Sequence, residues 1–188
     1  MPIRAVIFDF GGVLMRTLDR SGRRAWEVRL GLPEMGIAQI VFSSQTSIRA
    51  QRGELPEEAV WDEVAATFGL GAEEMADLKH HFWNGDRLDQ ELIAFMRELR
   101  PRYKVAILSN AWNTARQAFT ERYGLDRVTD LMVISAEEGV MKPDPRIYRI
   151  TLERLGVRPP EAVFVDDMPE NVRAACCLLY TSPRPRDS

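Results

Sequence analysis

The chain has 188 residues, 45% of them hydrophobic and 28% charged, and a formal net charge of −3, values of a globular protein rather than of a disordered or fibrous chain. The slight acidity excludes a general electrostatic attraction to nucleic acid or to an anionic membrane, so the expected partner is a small molecule. No run reaches the roughly 18 apolar residues of a membrane-spanning helix, the start MPIRAVIFDF lacks a signal-peptide pattern, and the two cysteines, Cys176 and Cys177, are adjacent and give no disulfide framework; a cytoplasmic protein is expected.

In chain order, the first element is a β-branched apolar run, Ile3 to Phe8, of the kind that forms a buried parallel strand. Residues from about Arg16 to Asp86 then show no convincing strand but several helical patterns, at 33–50, 56–68 and 72–83. Within them Trp26, Trp61, Phe82 and Trp83 are expected to pack a small core, with one of them facing substrate, while Arg20 to Arg24 reads as solvated charge. His80 and His81 are neighbours on one helix and point about 100° apart, which disfavours a shared metal.

Helix and strand patterns alternate thereafter: a helix over 89–99, a strand over Lys104 to Leu108, a helix over 114–123, a strand over Leu131 to Ile134, a helix from Pro145 to Leu155 stopped by Gly156, and a strand over Ala162 to Val165. This order predicts an α/β, doubly wound parallel sheet. The long gap between the first two strands predicts a helical insertion at 16–86 in a core formed by 1–15 and 87–175. After a helix beginning near Asn171 the chain ends in CLLYTSPRPRDS instead of an edge strand. That segment resembles the translation of sequencing-adapter read-through, so 176–188 is expected to be a non-native tail and the C-terminal edge strand to be missing.

Each predicted strand delivers polar residues at its carboxyl end. Asp9 follows the first and precedes Gly11 and Gly12, which allow close backbone approach. Ser109 and Asn110 follow the second and could donate to phosphate oxygens. Lys142, set between Met141 and Pro143 after the third, is a cation able to offset a carboxylate and an incoming anion. Asp166 and Asp167 follow the fourth, and such crowded carboxylates call for a hard cation such as Mg²⁺.

Together the four segments resemble the signature motifs of the haloacid dehalogenase superfamily, over nearly all of residues 1–175, with the insertion similar to that superfamily's C1 cap. The stretch Arg52-Gly53-Glu54-Leu55-Pro56 is similar to sugar-phosphate phosphatases related to α-D-glucose-1-phosphate phosphatase, and the Gly-Gly-Val-Leu, Ser-Asn-Ala, Lys-Pro-Asp-Pro and Asp-Asp segments also resemble the phosphatase domain of soluble epoxide hydrolase. The resemblance implies a Mg²⁺-dependent hydrolase of a small phosphorylated metabolite, with a Rossmann-like core. Asp9 would be the nucleophile, Ser109 and Asn110 would hold phosphate, and Lys142 would orient Asp9. Asp9, Asp167 and the Gly11 carbonyl would bind the metal directly, with Asp166 supporting. Most of these phosphatases carry an acid two residues after the nucleophile, where this chain has Gly11. Two other readings are open at this point: a metal-independent 2-haloacid dehalogenase, and a catalytically weak binding or regulatory domain.

Overall fold

The computed structural model describes residues 2–180. Its elements in chain order are β1 (Ala5–Phe8), β2 (Met15–Thr17), α1 (Ser21–Arg29), α2 (Gly36–Ser43), α3 (Gln45–Gln51), α4 (Glu57–Phe68), α5 (Ala72–Trp83), β3 (Asp86–Leu88) and α6 (Gln90–Leu99). After these come β4 (Lys104–Ser109), α7 (Ala115–Gln117), β5 (Leu131–Ile134), α8 (Ser135–Glu138), α9 (Pro145–Leu155), β6 (Ala162–Val165) and α10 (Pro169–Tyr180).

Four strands form one parallel sheet in the order β5-β4-β1-β6. Side chains of a strand alternate between faces, and the core follows that alternation. Ala5, Ile7, Ala106 and Leu108 pack with Ile147, Tyr148, Leu152 and Leu155 of α9 on one face. Phe8, Val105 and Ile107 pack with Ile93 and Met96 of α6, Phe119 and Leu125 on the other. Helices on both faces make the sheet doubly wound, as the alternating sequence pattern predicts.

Strand register brings two acids to one height. Phe8 lies opposite both Ile107 and Val165, so Asp9 and Asp166 leave adjacent strands at the same level. Chain connections diverge to opposite sides of β1 there, which is where open parallel sheets leave a crevice.

The helices α1 to α5 bury a separate apolar cluster that includes Trp26, Ile37, Val41, Trp61, Leu78 and Phe82, joined by Trp112 from the loop after β4. Burying one such side chain is worth about 1.5–3 kcal/mol. His80 and His81 stand outside it, with their rings perpendicular.

Three local details differ from the sequence reading. The helical pattern at 33–50 is broken at Ser44, whose side chain instead caps α3 by accepting from the Ser47 N–H at 3.1 Å. The pattern at 114–123 is short α-helix continued by a wider π-helical turn over Ala118–Arg122. The stretch read as strandless is bounded by β2 and β3, an antiparallel pair matching Met15 to Leu88 and Thr17 to Asp86; strands of three residues are too short to show a period. The helix α10 runs past Cys176 to Tyr180, and the rest of the expected tail lies outside the described residues.

A fourth difference concerns Arg23, which is buried rather than solvated. Arg23, Trp26 and Glu27 are the inward positions of α1. The Arg23 guanidinium donates to both Asp86 oxygens at 2.9 and 3.0 Å and to the Phe82 carbonyl at 2.8 Å, and it lies over the Phe82 ring. Thr17 adds a hydrogen bond to Asp86 at 2.6 Å. Removing one partner of a buried ion pair leaves an uncompensated charge. Arg23→Ala is therefore expected to lower stability by about 3 kcal/mol in urea denaturation, and a loss under about 1 kcal/mol would place Arg23 among ordinary surface pairs.

Candidate active site

Asp9 sits at the end of β1, nearly buried, with its N–H donating to the Val165 carbonyl at 2.8 Å. Lys142 is 2% exposed. Its Nζ lies 2.7 Å from Asp9 Oδ1 and 2.6 Å from Asp166 Oδ2, a single ammonium bridging the two adjacent strand ends. Asn110 fixes that lysine through its backbone: its amide donates to the Lys142 carbonyl at 2.9 Å and accepts from the Lys142 N–H at 2.8 Å.

The remaining carboxylate oxygens divide cleanly. Asp166 also accepts from the Met168 N–H at 2.8 Å and from Asn171 at 2.9 and 3.1 Å, so both its oxygens are engaged. Asp9 Oδ1 takes Lys142 and the Phe10 N–H at 2.7 Å, which leaves Oδ2 without a partner among the described residues. Asp167 is exposed and also unpaired among them. Oxygens of Asp9, Asp166 and Asp167 lie within 4.8 Å of one another. Three carboxylates against one ammonium leave two negative charges, and the unengaged oxygens of Asp9 and Asp167 suit a divalent cation with oxygen ligands.

Gly12 makes this crowding possible. Its φ is +76°, and a Cβ there would stand 2.1 Å from Asp167 Oδ2. Gly11, by contrast, has open space where a Cβ would be. Ser109, at the end of β4, is buried and its hydroxyl has no partner among the described residues. Ser109, Asn110, Gly11 and Gly12 all line a cavity of about 370 Å³ that extends toward α2, α5 and the segment after α7.

The structure gathers Asp9, Lys142, Asp166 and Asp167 and sets Gly11, Ser109 and Asn110 in the wall of the adjoining cavity, with the Asn110 amide bound to the Lys142 backbone. The contacts of Asn171 and Trp112 were not anticipated from the sequence, and Arg23 was read there as solvated charge. Asn171 had a signal, an amide in the first turn of the helix after the acid pair. Arg23 had one too, since it precedes Trp26 by three residues and shares its helical face.

A family model described as haloacid dehalogenase-like hydrolase matches residues 3–176. The chain is 30% identical over 186 residues to acyl-CoA dehydrogenase family member 10 of Mus musculus, an alignment covering 93% of this chain and 17% of that protein. It is 27% identical over 195 residues to D-ribitol-5-phosphate phosphatase of Bacteroides thetaiotaomicron, covering 98% and 93%. The solved L-2-haloacid dehalogenase of Xanthobacter autotrophicus superposes with a TM-score of 0.66 at 29% identity, covering 94% of this chain and 74% of that one.

Burial pushes the Asp9 carboxyl up to about 6, against the pull of Lys142 and with a further push from Asp166. The unfolded chain releases this proton near 3.8, so ionised Asp9 costs stability above about pH 6 and the cost fades as pH falls toward 3.8. Asp9→Asn is expected to stabilise the protein by about 1–3 kcal/mol in chelator-containing buffer near pH 8, and progressively less below pH 6, measured by urea denaturation. An effect independent of pH would contradict the shifted carboxyl.

Proposed function

Because the chain belongs to the haloacid dehalogenase-like hydrolase family, we propose that it is a Mg²⁺-dependent phosphatase that cleaves a small phosphate monoester through an aspartyl-phosphate on Asp9. The observation that carries this reading is the division of oxygens: Asp9 is held by Oδ1 and free at Oδ2, beside an unpaired Asp167.

In this reading Asp9 Oδ2 attacks phosphorus in line, the bond from phosphorus to the ester oxygen breaks, and the departing alkoxide takes a proton from water to leave as the alcohol. Lys142 keeps the nucleophile in register and offsets charge from the anionic ester. Ser109 offers its hydroxyl to a phosphate oxygen, and Asn110 keeps Lys142 in place. Magnesium, held by Asp9, Asp167 and the Gly11 carbonyl with Asp166 behind them, would supply the positive charge that lets a carboxylate approach a phosphate. Water then cleaves the aspartyl-phosphate, releasing phosphate and restoring Asp9. The helical insertion, residues 16–86, serves as the cap over a core of 1–15 and 87–175.

The dehalogenase reading shares the nucleophile and draws on the similarity to the Xanthobacter enzyme. It gives no task to the unpaired carboxylate of Asp167, which is why the phosphatase is preferred.

Phosphate release from p-nitrophenyl phosphate is expected to require Mg²⁺ and to fall by more than about 10³-fold in Asp9→Asn. Chloride release from 2-chloropropionate without metal, in the absence of phosphatase activity, would instead select the dehalogenase. The missing acid gives a second expectation. Gly11 has room for a side chain and its φ lies outside the left-handed region. Gly11→Asp is expected to raise turnover of alkyl phosphates by about 10²-fold, with little gain on p-nitrophenyl phosphate, whose leaving group needs no proton. An equal change on both substrates would show that leaving-group protonation is not the step that Gly11 limits.

A further inference from the structure

The cavity beside the strand ends has a lining that bears on the chemistry of what it could hold. Its walls are aromatic on two sides. Phe42, Trp83 and Trp112 form one, with Phe42 and Trp112 stacked at 5.9 Å, and Phe10, Phe119 and Tyr123 form the other, with Phe10 and Phe119 centroids 4.1 Å apart.

The polar side chains of the same walls are largely turned to the protein. Asp86 is closed by Arg23 and Thr17, and Glu57 accepts from the Trp61 indole at 3.0 Å and from the Thr114 hydroxyl. Gln51 spends its N–H groups on the Phe42 carbonyl and on Ser47, and the Asn110 amide is bound to the Lys142 backbone. No lining carboxylate is left unpaired among the described residues. The polar groups that are left are Ser109 beside the reaction centre, Gln51 Oε1, the Trp83 indole N–H, the Tyr123 hydroxyl and the rim residue Arg122, whose guanidinium lies over the Tyr123 ring.

A polyhydroxylated substrate entering here would lose hydration on most of its hydroxyls without finding acceptors, which penalises binding strongly, whereas a flat or apolar body would stack on faces already assembled. Resting on the phosphatase reading for the phosphate end, we propose that the substrate is a phosphate monoester of an apolar, aromatic or terpenoid-like alcohol, and not a sugar or polyol phosphate. Phe42 and Trp83 are the specificity-determining residues. Phe42 comes from α2 and is 39% exposed, so its ring offers a face outside the packed core.

The test compares 2-(1-naphthyl)ethyl phosphate with glucose 6-phosphate and glycerol 3-phosphate, all esters of primary alcohols, so that leaving-group chemistry is matched. The value of kcat/KM is expected to be at least roughly tenfold higher for the naphthyl ester, and Phe42→Ala is expected to shrink that ratio about tenfold. Equal values, or a preference for either polyol ester, overturn the assignment. Binding is measured separately in Asp9→Asn by quenching of tryptophan fluorescence, with the same three esters as probes. Tighter binding of the naphthyl ester without turnover in the unsubstituted protein supports the cavity assignment while defeating the phosphatase reading. Absence of any binding preference for the naphthyl ester defeats the cavity assignment whatever the turnover.

Discussion

One buried ammonium organises the centre of this protein. Lys142 lies between Asp9 and Asp166, and its charge works against the burial that raises the Asp9 carboxyl. The pair exists because β1 and β6 are adjacent and in register, so that neighbouring strands end in acids at one height. The lysine in turn needs an anchor, since its side chain arrives from a loop rather than from a strand. Asn110 supplies one through two backbone hydrogen bonds and so ties the end of β4 to the same point. Three strand ends are therefore cross-braced by the groups on which the proposed chemistry rests.

That arrangement explains which parts were legible in the sequence. The strands announced themselves as β-branched runs, and residues just past three of those runs are the ones the structure gathers, because a parallel sheet brings all its carboxyl ends to one edge. Asp9, Asp166 and Asp167 could be read for that reason, and Lys142 from its place between Met141 and Pro143 before the next helix. The task of Asn110 could not, because a pairing between residues 32 positions apart depends on how two loops fold over each other. The same holds for Arg23, whose partner Asp86 lies 63 positions away and whose neighbours Arg20 and Arg24 make the segment look like ordinary surface charge. The two short strands β2 and β3 gave no pattern at all. The aromatic walls of the cavity were half visible: tryptophans at helical spacing indicated a core, but only the fold separates buried Trp61 from half-buried Trp83.

Trp112 and Glu57 show how the two parts of the molecule meet. Trp112 leaves the sheet with the loop after β4 and packs among the residues of the inserted helices, while the Glu57 side chain reaches back to Thr114 and the Glu57 N–H donates to the Asn113 side-chain oxygen at 3.0 Å. The cavity lies along this junction, so its aromatic lining is contributed by both sides. Near the strand ends Lys142 is paired with Asp9 and Asp166; farther out, aromatic faces predominate among side chains whose charges are mostly paired.

The ribbon of β2 and β3 carries a mechanical consequence. The chain enters and leaves the helical insertion along two strands lying side by side, and at their far end the N–H groups of Leu18 and Asp19 both donate to the Gly85 carbonyl, where even a methyl group on Gly85 would collide with the Asp19 carbonyl. A body hung from a single flexible tether can tumble in any direction, but one hung from a narrow two-stranded strap bends easily only across the strap's thin dimension. The strap therefore limits the directions in which the inserted helices can be displaced from the sheet, and with them the aromatic wall they carry.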